Sequence, residues 1–334
     1  MPSELAPTIA AIVPVLNGRS YLERSLPALV RAGAGRITEI LVVDDGSTDG
    51  SAEFAADLGA RVILSGGVGR GPALARNLGA QAVEADIIVF VDSDVVVHED
   101  VIDRVREAFS DNSLTALYGS YDDAPPHRGF SSQYVNLRHH HGHRLPSESA
   151  STFWSGLGAV RREAFLRTGG FDPADYPRPS IEDIELGRRL REGGGRIRRD
   201  PSIQGTHLKE WGFTEAIRTD VLYRAIPWSR LMRRYPGDFG DLNVGQGERA
   251  RAFLALVFFL TAALGVSGFL PWWAPVSAFS VCLFGNLRLA GLYGRVNGWV
   301  FMLLAMLFHQ VYYLYSGAAY AWCVLTPDRR GDGN

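Results

Sequence analysis

Apolar runs of strand length alternate with helically spaced leucines through the first third of the chain. Ile9 to Val15 is a buried first strand, and Leu22, Leu26 and Leu29 then recur at helical spacing. Ile37 to Val43 is a second strand that closes on Asp44-Asp45-Gly46-Ser47, whose polar cluster offers N-caps for a following helix. Arg61 to Leu64 is a short third strand, Ala73 to Val83 a helix after a Gly-rich turn, and Asp86 to Val91 a fourth strand that stops at Asp92-Ser93-Asp94. This alternation is the sequence form of an α/β domain with a mostly parallel sheet covered by helices. Such sheets take ligands in the crevice at the carboxyl ends of their strands, where these acids stand.

The texture changes near the C-terminus. Phe253 to Leu270, Trp272 to Leu287 and Trp299 to Leu325 are apolar runs that approach or exceed the ~20 residues a spanning helix needs. Two or three transmembrane helices are therefore expected within residues 249–334, the alternative being core helices of a second soluble domain. Arg249 and Arg251 precede the first run and Arg288 and Arg295 the third, which starts both on the cytoplasmic side, although three spans would leave Arg329 and Arg330 outside. Between the two regions, residues 208–248 interleave Trp211, Phe213, Ile217, Val221, Leu222, Ile226, Trp228 and Leu231 with Arg218, Arg224, Arg230, Arg233 and Arg234. That mixture suits helices lying in the headgroup plane, the alternative being a solvated helix packed on its own domain.

Composition removes several classes. A formal net charge of -2 over 334 residues gives no basic field, which argues against nucleic acid. The two cysteines, Cys282 and Cys323, both lie in apolar stretches, so neither a disulfide framework nor a thiolate metal site is indicated. Met1 to Thr8 lacks the form of a signal peptide, which points to an inner, cytoplasmic membrane location, multi-pass, with the N-terminal domain, residues 1–207, in the cytoplasm.

The chemistry-bearing residues cluster at strand ends. Asp92 and Asp94, one residue apart around Ser93, suit a hard cation such as Mg2+ or Mn2+ that bridges a diphosphate and neutralises charge on a leaving group. Asp44 and Asp45 read as helix caps, or Asp45 as an acceptor for a base N–H of uracil or guanine. The Gly66 to Pro72 loop, with Arg70 and Arg76, reads as a nucleotide border or a plain turn, since neither a dinucleotide fingerprint nor a P-loop is completed. Glu182 and Asp183 open an amphipathic helix; they read as charges at its N-terminus, or Asp183 as the base that deprotonates an acceptor hydroxyl. His139 and His143 share a helical spacing, but no Glu lies between them and Gly142 weakens the helix, so a zinc site is disfavoured.

In combination, Pro14-Val15-Leu16-Asn17, Val43-Asp44-Asp45-Gly46-Ser47, Ala75-Arg76-Asn77, Asp92-Ser93-Asp94, Gly169-Gly170-Phe171-Asp172 and Glu182-Asp183 resemble glycosyltransferase family 2, enzymes of the GT-A fold. The resemblance covers roughly residues 8 to 235. It implies a UDP- or GDP-linked sugar donor held by Pro14, Val15, Asn17, Asp44, Asp45, Arg76, Asp92 and Ser93, a cation on Asp94 with Asp92, and catalysis by Asp183 beside Glu182. Trp154, Gly170, Phe171 and Trp211 would line the acceptor side. Lys209-Glu210-Trp211 keeps only the Trp of the Gln-x-x-Arg-Trp motif of processive members, which favours a single transfer to a lipid-linked or glycan acceptor at the bilayer. A polyprenyl-phosphate glycosyltransferase, a non-catalytic glycan- or nucleotide-sugar-binding module, and a nucleotidyltransferase or NAD enzyme are the alternatives.

Overall fold

The computed structural model describes residues 7–237 and 245–326. Arg329 and Arg330, which the orientation rule invokes, and residues 1–6 of the N-terminal stretch lie outside them. The chain divides into two compact units, residues 1–127 with 143–210, and residues 128–142 with 211–334.

The first unit is built on one eight-stranded sheet. Its strands are β1 (Ile9–Val15), β2 (Glu39–Asp44), β3 (Arg61–Leu64), β4 (Ile87–Val91), β5 (Val95–Val97), β6 (Leu114–Tyr121), β7 (Leu157–Arg161) and β8 (Arg196–His207), in the order β3-β2-β1-β4-β7-β6-β8-β5. The four strands expected from the apolar runs pair in parallel, β3 to β2 to β1 to β4. Beyond β4 the sheet is mixed: β7 is antiparallel to β4 and β6, β8 parallel to β6, and β5 antiparallel to β8.

The sheet is buried on both faces, which explains why its central strands are uninterruptedly apolar. Ile9, Ala11, Val13 and Val15 point to one face, where Leu22, Leu26 and Leu29 of α1 (Arg19–Gly33) meet them. Ala10 and Ile12 point to the other, against α3 (Pro72–Ala82) and α7 (Glu182–Glu192), which contributes Leu186 and Leu190. Each fully buried Leu, Ile or Val contributes about 1.5–3 kcal/mol, so this alternation fixes which helix covers which face. It also fixes the register that brings the ends of β1, β2 and β4 to one edge.

The second unit is helical. It comprises residues 128–142 of α5 (Phe130–His143), then α8 (Phe213–Arg218), a π-helical turn (Thr219–Ala225), α9 (Ile226–Arg234), α10 (Gln246–Val266), α11 (Trp273–Gly285) and α12 (Leu287–Leu325). Two of these, Gly247–Val266 and Leu287–Leu325, are long and apolar enough to cross a membrane, and Trp273–Gly285 is a shorter apolar helix. α12 breaks at Gly298, whose φ of 84° and ψ of 171° are non-helical, so its second limb begins at Trp299 as the apolar pattern indicated. Phe253 (64%), Leu260 (54%) and Trp322 (60%) are exposed on these helices, unlike the side chains of a soluble core helix. Inside the unit, Arg138 makes a paired contact with both oxygens of Asp220 (2.8 and 2.7 Å), and the Tyr315 hydroxyl donates to Asp220 at 2.8 Å.

Candidate active site

Tight turns at the strand ends pin the acids. After β1, Asn17 adopts a left-handed φ of 50°; its N–H donates to Ser47 Oγ at 2.8 Å and its Oδ1 accepts the Thr48 N–H at 2.9 Å, joining the β1 and β2 ends. Pro14 and Val15 pair with Val43 and Asp44 in the same ladder. Asp44 is buried, and both its oxygens accept the Ser47 N–H at 3.2 Å, which closes the turn after β2; the next helix, Ser51–Asp57, has Gly50 at its N-cap and no side-chain cap bond, so Asp44 does not cap it. Asp45 is buried too. It accepts the Ser65 hydroxyl at 2.5 Å and the Gly71 N–H at 2.8 Å, which draws the glycine loop over the β2 end. A carboxylate has about four lone-pair sites, so both oxygens of Asp45 retain acceptor capacity. Gly46 lets the loops meet, since a Cβ there would stand 2.7 Å from the Gly67 carbonyl oxygen.

Arg76, on α3, is the hub of the cluster. Its guanidinium is buried and contacts Asp92 at 2.5 Å and Glu182 at 3.1 Å, tying the end of β4 to the start of α7. Asp92 is also held through its backbone, its N–H donating to the Gly156 carbonyl at 3.0 Å. The preceding residue, Ser155, donates its N–H to Asp183 Oδ2 at 3.2 Å. Asp92, Glu182 and Asp183 therefore meet around one arginine and one turn, although they lie far apart in sequence.

Their electrostatics differ with their partners. Burial pushes the Asp183 carboxyl up to about 7, the adjacent Glu182 carboxylate adds to the effect, and the Ser155 N–H and Arg76 oppose it. Burial also raises Asp92, with the Asp94 charge adding and Arg76 opposing. Burial pushes Asp94 the same way, but the imidazole of His207 at 3.3 Å and then Lys209 overcome it and hold Asp94 below the usual carboxylate range. Ser93 presents its carbonyl to the Ser25 hydroxyl at 2.6 Å.

Next to Arg76 in sequence, Asn77 clasps the Gly170-Phe171 turn. Its Nδ2 donates to the Phe171 carbonyl at 2.8 Å and its Oδ1 accepts the Phe171 N–H at 2.9 Å. Phe171 then lies edge-on to Phe90 and under the Arg76 guanidinium. Trp154 precedes Ser155 and meets Tyr121 edge-to-face at 4.8 Å. Trp211 lies in the second unit, where its N–H donates to Ser132 Oγ at 2.8 Å. His139 and His143 fall into different units, and the His139 ring nitrogen takes the Arg224 guanidinium at 2.8 Å.

Sequence reasoning missed His207, Ser155 and Tyr121. His207 closes β8 and pairs with Val95, one residue past Asp94, so only the strand pairing makes it a neighbour of the acid. Among the described residues no group of three or more His, Cys, Asp or Glu forms a closed metal cage. Asp94 and His207 nevertheless offer an oxygen and a nitrogen donor 3.3 Å apart, a set suited to a divalent cation that takes its remaining ligands from a diphosphate and water.

Residues 10–169 match the model of glycosyl transferase family 2. The chain carries a family 2 glycosyltransferase domain. The pre-mycofactocin glycosyltransferase of Mycobacterium tuberculosis is 28% identical to this chain over 218 residues, covering 61% of this chain and 44% of that protein. An uncharacterized glycosyltransferase of Haemophilus influenzae is 33% identical over 119 residues, covering 34% of this chain and 47% of its own length. The chain thus spans less than half the length of these two relatives. Among solved structures, the mannosyltransferase PcManGT of Pyrobaculum calidifontis, in complex with GDP-Man and Mn2+, matches 96% of this chain and 88% of its own with a TM-score of 0.59 at 18% identity. S. aureus TarS 1–349 with UDP-GlcNAc matches 94% and 92% at 0.53 and 15%. Those likenesses establish the fold of the transferase domain, a GT-A-type mixed α/β sheet.

Proposed function

We propose that this protein transfers a sugar, with inversion, from a UDP- or GDP-linked donor to a hydroxyl of a lipid-linked or glycan acceptor beside a membrane. The observation that carries the reading is the bridge from Asp92 through Arg76 to Glu182, next to Asp183: a strand-end acid and two helix-start acids meeting in one place around a cation of the protein's own. Pro14, Val15, Asn17, Asp44 and Asp45 border the nucleotide, with Asp45 accepting from the base. Asp92 and Ser93 face the ribose and diphosphate. Asp94, with Asp92 near and His207 beside it, holds Mg2+ or Mn2+, which when bound neutralises charge on the departing nucleoside diphosphate.

Asp183 is the general base. A carboxyl raised to about 7 holds a proton near neutrality more strongly than an ordinary aspartate and still ionises at working pH, which suits proton abstraction from a hydroxyl. An acceptor phosphate would arrive already ionised and need no such group. Trp154, next to the Ser155 that bonds Asp183, and the Gly170-Phe171 turn, against Arg76, offer the acceptor side. The C-terminal helices anchor the chain in the cytoplasmic membrane with the transferase domain in the cytoplasm, and Phe213 to Arg234 lies along the headgroups through Arg218, Arg230 and Arg233.

Asp183→Asn tests the base. Transfer should fall by at least about a thousandfold, while UDP or GDP binding, measured by calorimetry with Mn2+, stays within about twofold of the parent. Transfer at the parental rate would remove Asp183 from the chemistry.

A further inference from the structure

The end of β8 holds an arrangement that the proposed reaction does not by itself require. The Tyr121 ring lies flat on the His207 imidazole, with centroids 4.2 Å apart and planes 8° from parallel. Tyr121 is buried, and Trp154 meets it edge-on.

A register shift produces this stack. Along β6 the chain moves only from Tyr118 to Ser120, while on β8 the paired position moves from Arg199 to Gln204. The extra β8 residues bulge past Gly119, where a Cβ would stand 2.1 Å from the Ile203 carbonyl oxygen. After the bulge Tyr121 pairs with Gly205, so His207, two residues on, lies diagonally across the same face. Gly205 carries no side chain to separate the rings. The next residue locks the position: the Asp122 N–H donates to the Gly205 carbonyl at 3.0 Å, and the Asp122 carboxylate takes the Thr206 hydroxyl and faces His98 Nε2 at 3.1 Å. Bulges beside functional sites commonly re-aim a side chain in this way.

We propose that Tyr121 is a positioning residue for cation binding: its ring fixes the plane in which His207 presents Nε2 next to Asp94, and so sets the affinity for a divalent cation. An imidazole can swivel about its side-chain torsions, and the orientation seen places Nε2 3.3 Å from the Asp94 oxygen, where a cation could take both atoms as ligands. The flat contact with Tyr121 removes that freedom before the ion arrives, the task that hydrogen-bonded partners perform for many metal-binding histidines. The proposal rests on the reading that Asp94 and His207 hold the cation.

The test is titration of the full chain, in detergent, with Mn2+ alone, following the EPR signal of the free ion. Tyr121→Phe keeps the flat ring and should bind within about twofold of the parent. Tyr121→Ala, and Tyr121→Leu, which fills the space without a planar face, should bind about tenfold or more weakly. At saturating Mn2+ both should recover transfer, which a fold defect would not permit. His207→Ala is the control: parental Mn2+ binding by that variant overturns the metal reading and the proposal together. If His207→Ala loses the ion while Tyr121→Ala and Tyr121→Leu keep it, or if Tyr121→Phe binds as weakly as they do, only the role given to Tyr121 is overturned.

Discussion

Asp183 shows how a single carboxyl acquires a task from its surroundings. Its partners are one backbone N–H from Ser155, its own helix start and a neighbouring carboxylate, while the nearest cation, Arg76, is already engaged by Asp92 and Glu182. Because the base must be ionised, kcat/KM should fall about tenfold for each pH unit below about 7 and level off above it. A rate profile measured with the cation saturating checks this, and a break near 4 would mean that the carboxyl is unperturbed. The sign for stability is opposite. Native Asp183 takes up its proton at a higher pH than the unfolded chain does, so its ionisation costs stability as pH rises from 4 toward 7. Asp183→Asn should accordingly melt higher than the parent at pH 8 and not at pH 4. The acids were legible because each one ends an apolar run or opens an amphipathic one. His207 was not, since a lone histidine closing a strand carries no pattern until its partner strand is known.

Among the elements, the parallel half of the sheet could be read from the sequence and the other half could not. Strands buried on both faces write themselves as unbroken apolar runs, as in β1, β4 and the Ile40 to Val43 part of β2. β5 is three residues long, and β8 contains Pro201 and a bulge, so neither has a clean period of two. Two glycines outside these strands, Gly119 in β6 and Gly170 in a turn, act through close approach. Gly119→Ala would drive a methyl into the Ile203 carbonyl and should destabilise the transferase domain by about 1–3 kcal/mol, visible as a lowered Tm. Gly170→Ala meets both a left-handed φ of 69° and Asn77 Oδ1 at 2.4 Å, and should break the clasp on Phe171. The expected result is a raised acceptor KM with donor binding unchanged; an unaltered acceptor KM would remove this turn from the acceptor side.

For the whole molecule, sequence patterning located the apolar helices and the second limb of α12. It did not reveal that a mid-chain segment groups with them. If α10 and α12 anchor the chain, the full-length protein should stay with membranes through an alkaline carbonate wash and leave only with detergent. Release by carbonate would turn α10 to α12 into an ordinary helical domain. The grouping of residues 128–142 with residues 211–334 has a practical consequence. Tyr134, Val135 and Leu137 are buried against Trp211, Leu289, Tyr293 and Met306, all of them later in the chain. A cut after residue 207 or 210, the natural place to make a soluble enzyme, would discard those partners and strand an oily helix in the middle of the product. Whoever wants the catalytic half alone has to bridge out that insert as well, or keep the tail that shelters it.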